Sequence, residues 1–195
     1  MRAVVVLTHP AEQSFTRATC DAAARGLTRA GHDVTVLDLY RMGFQPAMTN
    51  AERIAYHGDE PVVDPLVAKS VATIRGAEIL VFVYPTWWSG LPAMLKGWLE
   101  KTMLPGVAFV FNADHRVRPG LTSVRRIVGI SSYGSPRLYI KAIHDNGRRT
   151  LLRALRLNTG LRTRSTWLAF YGIDNSTIDQ REAFIAKVEQ KLAAL

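Results

Sequence analysis

The sequence lacks the features of a secreted or membrane-spanning chain. Cys20 is the only cysteine in 195 residues, which excludes an internal disulfide. No apolar run reaches the roughly 18 residues that a membrane-spanning helix needs, and the start, MRAVVVLTHP, is too short for a signal peptide. We therefore expect a cytoplasmic protein.

Sequence motifs for the common nucleotide sites are missing as well. The chain contains neither a Walker loop nor a G-x-G-x-x-G motif, which argues against a nucleoside triphosphate site or a Rossmann-type dinucleotide site. It also shows no internal repeat, low-complexity tract or linker. With 48% hydrophobic residues, residues 1–195 are predicted to form one domain with a sizeable core.

Acidic residues are scarce between positions 115 and 173. This stretch holds twelve Lys or Arg residues against one acidic residue, Asp145. Such a surface attracts phosphates, nucleic acid or an acidic membrane. Because no DNA- or RNA-binding motif accompanies the charge, nucleic acid is the disfavoured partner, and a solvated helical face is the simpler interpretation.

Strand and helix patterns alternate along the chain. Runs rich in apolar and β-branched residues predict strands over 3–7, 33–39, 78–84, 125–132 and 163–171. Helices are predicted from a cap at Ser14 to about Arg29, and over 65–75, 91–103, 139–157 and 178–195, with 40–63 irregular. Strands separated by helices pair in parallel through right-handed crossovers. The predicted fold is a three-layer α/β sandwich with a five-stranded parallel sheet in the order 2-1-3-4-5.

Ligands of such folds bind outside the carboxyl ends of the strands, beside strands 1 and 3. Three segments leave the sheet there: 8–14, 85–90 and 131–136. The first enters a helix at Ser14, where exposed N–H groups form an anion site and His9, Ser14 and Thr16 add donors. The third, SSYGSP, adds hydroxyls and places Gly134 where backbone must approach something closely.

The second segment, PTWWSG, contains two consecutive tryptophans. Neighbouring side chains of an extended segment point to opposite sides, so Trp87 or Trp88 must face the cleft or a partner. A flat polycyclic ligand would use both the aromatic faces and the backbone groups of this loop. Trp98, inside the following helix, is interpreted as a core residue.

The stretch YPTWWSGLPAMLKGWLEK resembles the segment FP-x-x-W-x-x-x-P-A-x-L-K-G-W-x-E/D-R/K of the flavodoxin-like NAD(P)H:quinone oxidoreductases, the DT-diaphorase-like group. The THP…SFT start and the SSYGS…Y…IH segment resemble that family's other two flavin loops, in the same order. The resemblance therefore extends over essentially the whole chain.

The resemblance implies a flavin site with no metal. The residues that it assigns to the flavin phosphate or pyrophosphate are His9, Ser14, Phe15 and Thr16. Those assigned to the isoalloxazine ring are Pro85, Thr86, Trp87 and Trp88. Those assigned to its pyrimidine side are Ser131, Ser132, Tyr133 and Gly134. The resemblance implies that Tyr139 and His144 offset charge on the reduced flavin and so are catalytic. Tyr133 is a further candidate for a catalytic side chain.

This chain departs from the family at two of these positions. The family usually has Asn where this chain has Thr16, and Thr-Thr-Gly-Gly where it has Ser-Ser-Tyr-Gly, so Tyr133 brings a bulky ring into a space that the relatives leave open. The long C-terminal extension of the mammalian-type enzymes is missing. That absence favours FMN over FAD.

The function implied by the resemblance is two-electron reduction of a quinone or similar acceptor by NADH or NADPH, with ping-pong kinetics and a homodimeric enzyme. An azo dye, a nitroaromatic or a ferric chelate would serve equally as acceptor. A rival reading is a flavin-bearing regulatory subunit that docks on a potassium-efflux transporter in the membrane, which the basic stretch 115–173 would suit. A non-enzymatic nucleic-acid binder is the third reading.

Overall fold

The computed structural model describes residues 1–58, 60–160 and 162–195. Its strands are β1 (Arg2–Leu7), β2 (Asp33–Asp38), β3 (Ile79–Pro85), β4 (Phe109–Phe111), β5 (Val117–Pro119), β6 (Arg126–Tyr133) and β7 (Arg164–Tyr171). Five of them form one parallel sheet in the order β2-β1-β3-β6-β7. The continuous apolar runs of β1 and β3 lie in its centre, where both faces of a strand are covered.

Two strands were not predicted. β4 and β5 form a small antiparallel hairpin in the loop that follows β3 and its helix. Because they precede the fourth predicted strand along the chain, the fourth and fifth predicted strands are β6 and β7, and the sheet order is β2-β1-β3-β6-β7. Both strands are only three residues long, which is too short for a hydrophobic pattern to predict them.

The helices cover both faces of the sheet. They are α1 (Phe15–Arg29), α2 (Asn50–Ala55), α3 (Pro65–Arg75), α4 (Ala93–Thr102), α5 (Arg137–Ala142), α6 (Asn146–Arg149), a π-helical segment (Thr150–Leu155), α7 (Arg156–Thr159) and α8 (Ile178–Ala193). One core lies between the sheet and α1 with α8, and a second lies under α3, α4 and the 150–155 segment. Within the described part of the chain, no helix is long and apolar enough to cross a membrane.

Trp98 is a core residue, as predicted. Its side chain is fully buried in the second core, and its Nε1 donates a hydrogen bond of 3.1 Å to the Ser70 hydroxyl of α3. A buried indole N–H needs such an acceptor. Trp98 therefore fixes α4, the helix after β3, to its neighbour α3.

The prediction of one helix over 139–157 is wrong. The chain leaves the helical conformation after Ala142, and His144 and Asp145 both adopt positive φ angles, of 67° and 43°. Asp145 then caps α6, because its side chain accepts from the Arg148 N–H. Gly147 allows this helix to lie close to the sheet, since a Cβ there would stand 3.2 Å from the Tyr84 hydroxyl. The break thus brings a carboxylate and a close-packed turn to the end of the sheet.

The stretch 40–63, predicted to be irregular, contains the short helix α2. A capping box between Thr49 and Glu52 starts it. Glu52 is buried beside Lys101 of α4, with 2.8 Å between its carboxylate and the Lys101 Nζ. Lys101 also donates to the Gln45 carbonyl at 2.9 Å and lies 3.4 Å from the Asp64 carboxylate. This buried cation holds α2 and the start of α3 against α4.

Candidate active site

The three segments predicted to converge do meet at the carboxyl edge of β1, β3 and β6. The Thr8 N–H donates to the Val83 carbonyl at 3.0 Å, which links the first segment to β3. The rings of His9 and Trp87 have centroids 6.2 Å apart. The Thr86 N–H donates to the Ser132 carbonyl at 2.8 Å, which links the second segment to the third. The result is one continuous edge built from all three.

The amino end of α1 carries the features of an anion site. Ser14 is its N-cap, with the hydroxyl accepting from the Arg17 N–H at 3.1 Å. The N–H groups of Phe15 and Thr16 lie beyond the reach of the carbonyls of the helix and point outward. The first turn contains no acidic residue. A phosphate at this end would gain from both the free donors and the helix dipole.

Other side chains at this end are already engaged. The Phe15 ring packs against Phe170 and Phe184, with centroids 5.2 and 5.9 Å away. The predicted contact of Phe15 with the cofactor can therefore involve only its backbone N–H. The Arg17 guanidinium pairs with Asp38 at 2.6 Å. His9 accepts the Ala11 N–H at its Nδ1, which leaves Nε2 as the ring atom able to donate outward.

The two tryptophans stand on a tight turn from Trp87 to Gly90. The Gly90 N–H donates to the Trp87 carbonyl at 3.0 Å, and the central residues Trp88 and Ser89 have φ angles of 46° and 60°. Side-chain-bearing residues at such angles cost roughly 1–3 kcal/mol each, and this strain is typical of ligand sites. The Trp88 side chain is fully exposed and Trp87 is 42% exposed, so the turn presents a flat apolar surface.

Thr86 corrects one expectation for this loop. Its N–H is used by the Ser132 carbonyl, and its hydroxyl shares a 2.8 Å hydrogen bond with the Ser131 hydroxyl. The N–H is therefore engaged, whereas the hydroxyl keeps a further acceptor position. Thr86 and Ser131 instead tie the second segment to β6.

Tyr133 also differs from its prediction. The ring is buried and stacks on Tyr171, with centroids 4.8 Å apart. Its hydroxyl donates to the Asp145 carboxylate, with oxygen distances of 3.0 and 3.1 Å. Burial, together with the negative charge of Asp145, raises the pKa of Tyr133 well above its ordinary value. Tyr133 is thus a buried donor to Asp145, and a catalytic role at the cofactor does not fit this position.

The remaining residues of the third segment are small or exposed. Ser132 is buried at the end of β6, and Gly134 is exposed beyond it. A Cβ on Gly134 would come within 2.6 Å of the Asp174 carboxylate, in the loop after β7. This position therefore needs glycine for close approach, as the sequence indicated, but the approaching group is a neighbouring loop.

Tyr139 and His144 lie farther along the chain, on α5 and at the helix break. Both side chains are exposed. In the residues with described positions, no hydrogen bond or ring contact joins either side chain to the three segments. His144 instead lines a basic cavity beside α5 and β7. Their roles near a flavin stay predictions.

Two polar groups of this edge were missed from the sequence. Asp145 accepts a hydrogen bond from Tyr133 and caps α6. The sequence feature that could have identified it is its position as the sole acidic residue between 115 and 173. The Thr8 hydroxyl, at the end of β1, is buried and has no hydrogen-bond partner among the described residues. Such a buried hydroxyl is unusual and marks a position where a ligand group can bond.

Comparison with known proteins decides the family. A family model described as having a flavodoxin-like fold matches residues 1–195. The chain belongs to this flavodoxin-like family. The parallel sheet with α1 entering directly after β1, and the site at the carboxyl edge, agree with that assignment.

Curated relatives of this chain include proteins named NAD(P)H dehydrogenase (quinone) 1. The chain is 30% identical over 161 residues to NAD(P)H dehydrogenase (quinone) 1 of Cavia porcellus, covering 74% of this chain and 58% of the relative. The first curated relatives are thus matched over little more than half of their length. The resemblance to NAD(P)H:quinone oxidoreductases is confirmed.

Solved structures support the same fold. An NAD(P)H:quinone oxidoreductase from Methanothermobacter marburgensis superposes with a TM-score of 0.82 at 24% identity, covering 99% of this chain and 98% of that one. An FMN-dependent NADH-azoreductase from Bacillus anthracis, solved in complex with FMN, superposes with a TM-score of 0.74 at 13% identity, covering 99% and 97%.

Proposed function

We propose that this protein is a flavin-dependent NAD(P)H oxidoreductase that reduces quinones or similar acceptors by two electrons. The observation that carries the proposal is the meeting of the α1 amino end, the Trp87–Gly90 turn and the end of β6 at one edge. Relatives whose names include NAD(P)H, quinone and FMN support it.

The donor set of this edge fits a flavin mononucleotide. The α1 amino end offers two N–H groups without a helical partner to a phosphate, and its first turn contains no acidic residue. The Thr8 hydroxyl is a buried group in need of a partner. Trp87 and Trp88 offer exposed aromatic surface to a flat tricyclic ring. FMN is our proposed cofactor, because a single phosphate suffices for the anion site described.

Once bound, the flavin would supply the capacity to take a hydride from NADH or NADPH and give it to the acceptor. The chain's own part is positioning and electrostatics. The α1 amino end stabilises the phosphate, and the tryptophan turn limits water at one side of the ring. His144 and Tyr139 are proposed as donors that hold a proton near the charge that develops on reduction. Since donor and acceptor would share one open face, ping-pong kinetics are expected.

The exposed tryptophans also favour a homodimer. Trp88 is fully exposed, Trp87 is 42% exposed, and both lie at the proposed cleft. Exposed aromatic surface of this kind usually marks an interface, and most soluble oligomers are symmetric dimers. We propose that a second copy of the chain covers this surface and completes the cleft.

One experiment tests both cofactor and assembly. Purified protein, followed by sedimentation velocity at a flavin absorbance wavelength, is expected to carry one flavin per chain and to sediment at about twice the 21.7 kDa chain mass. Colourless protein that also takes up neither FMN nor FAD contradicts the cofactor. A yellow species at the monomer mass contradicts the dimer alone. NADH oxidation dependent on added quinone then tests the reaction.

His144→Ala is expected to slow flavin reduction by NAD(P)H roughly tenfold, because one donor to a developing charge is lost in a site that water also reaches. Stopped-flow absorbance at matched flavin occupancy measures this rate. Matched occupancy matters because His144 has a φ of 67°, where alanine is disfavoured. His57→Ala, at an exposed histidine outside the three segments, is the control. Equal reduction rates in the His144 variant and the unaltered protein assign His144 a structural role only.

A further inference from the structure

A basic cavity of about 720 Å³ lies between α5, the helical run 146–159 and β7. Its cationic lining residues are Arg137, Lys141, Arg148, Arg149, Arg153 and Arg156. No residue of the segments 8–16, 85–90 or 131–136 lines it, although His144 and Asp145 do, so the cavity adjoins the proposed flavin site without including those segments. We propose that this cavity binds the phosphate groups of a nucleotide that carries at least two of them.

The charge of the cavity is unbalanced. Asp145 is its one acidic lining residue, and that carboxylate already accepts from the Tyr133 hydroxyl and the Arg148 N–H. Across the described parts of the chain, no carboxylate forms an ion pair with Arg137, Lys141, Arg149 or Arg153. Like charges gathered in a concave surface repel one another and focus a positive potential there. A polyanion relieves that repulsion.

The cations stand on two walls of the cavity. Arg137 and Lys141 belong to α5, whereas Arg149 and Arg153 belong to α6 and the π-helical segment. Guanidinium groups bind phosphate oxygens in a bidentate manner and are suited to this ligand. Cationic groups on different elements favour a ligand with two or more phosphates over a single inorganic phosphate.

The rest of the lining suits the organic part of a nucleotide. Ser165 and Tyr171 of β7 offer hydroxyls, and Ile140 and Leu152 offer apolar surface. The Arg148 guanidinium lies 6.0 Å from the centroid of the Trp167 ring. The volume falls within the roughly 300–1,000 Å³ of small-molecule sites. A nucleic-acid strand would need a longer open track than such a cavity provides.

Two sources would supply this chemistry. The first is the adenosine portion of NADPH, and this source rests on the proposed function. His144, which lines the cavity, would then lie between the adenosine portion and the flavin site. The second is a free nucleotide such as ADP. ADP titrated into the flavin-loaded protein by calorimetry at fixed ionic strength probes the shared chemistry.

The test variant is Arg149→Gln with Arg153→Gln, because both side chains are exposed and glutamine keeps the helix. The dissociation constant for ADP is expected to rise at least tenfold, since each lost charge-assisted hydrogen bond is worth about that factor. The control is Arg116→Gln with Arg118→Gln, which removes the same charge at exposed positions outside the cavity. It is expected to change ADP binding by less than about twofold.

Several outcomes overturn the proposal. They are equal ADP affinity in the test variant and the unaltered protein, an equal loss in the control, release of flavin by ADP, and binding of an oligonucleotide where ADP fails. Loss of ADP affinity in the test variant alone supports it. KM values for NADPH in the test variant and the unaltered protein then identify the source. A higher KM in the variant shows that the cavity binds the hydride donor, whereas an unchanged KM shows that it binds a free nucleotide. If the protein proves to lack flavin, the proposed function is contradicted, and the same ADP titration on the flavin-free protein and its variants still decides this proposal.

Discussion

Ser14→Asp is expected to weaken FMN binding by roughly 10²-fold while leaving thermal stability nearly unchanged. Ser14 caps α1, and aspartate is as good an N-cap as serine, so the hydrogen bond to the Arg17 N–H is kept. The new carboxylate would lie at the helix end proposed to hold the flavin phosphate. Two like charges about 4 Å apart near a protein surface repel by several kcal/mol, which corresponds to a factor of 10² or more in affinity.

The matched control for this variant is Ser14→Asn, which keeps a neutral cap. FMN affinity, measured by quenching of flavin fluorescence, is expected to change by less than about tenfold for Asn. The melting temperatures of the apoproteins show whether the variants keep the stabilising N-cap of α1. If both variants bind FMN as tightly as the unaltered protein, the phosphate does not lie at the amino end of α1. If both lose affinity equally, the serine hydroxyl itself is the contact and the helix-end charge is not.

Lys101→Ala is expected to lower the free energy of unfolding by about 3–5 kcal/mol, because it leaves the buried Glu52 without its cation. The Gln45 carbonyl also loses its donor. For a chain of this length the melting temperature would fall by about 10 °C, since each kcal/mol shifts it by roughly 2–4 °C. Thermal denaturation followed by circular dichroism measures the change.

Adding Glu52→Gln to the Lys101 variant is expected to recover part of the loss. Glutamine keeps the capping box with Thr49 and removes the uncompensated charge. A double variant no more stable than Lys101→Ala would contradict an electrostatic origin and assign the loss to packing. Glu52→Gln by itself serves as the reference for the pair.

The same pair gives a pH dependence. Burial alone raises the pKa of Glu52, but the hydrogen bonds from Lys101 and Thr49 outweigh it and hold the folded-state pKa below the ordinary value of 4.5. The stabilising contribution of Glu52 is therefore present above about pH 4.5 and is lost as the pH falls through the lowered folded-state pKa. Urea denaturation in this range should show a smaller slope against pH for Glu52→Gln.

The elements that the sequence determined by itself are those whose signals are local. The α3 helix occupies Pro65–Arg75, the range that was predicted, and α1 begins after the Ser14 cap. The central strands β1 and β3 followed from unbroken apolar runs, which only a sheet covered on both faces accommodates. Convergence of the three segments followed as well, because carboxyl ends of parallel strands meet at one edge.

The tertiary structure alone decided how these segments use their polar groups. The helix over 139–157 is broken at His144 and Asp145 because Asp145 is held there by the Tyr133 hydroxyl, twelve residues away. Thr86 bonds to β6 through its N–H and through its hydroxyl, whose partner Ser131 is forty-five residues farther along. Lys101 is buried only because Glu52 and Asp64 reach it from other elements. Contacts between residues far apart in the chain offset costs of strain and burial that no local pattern reveals.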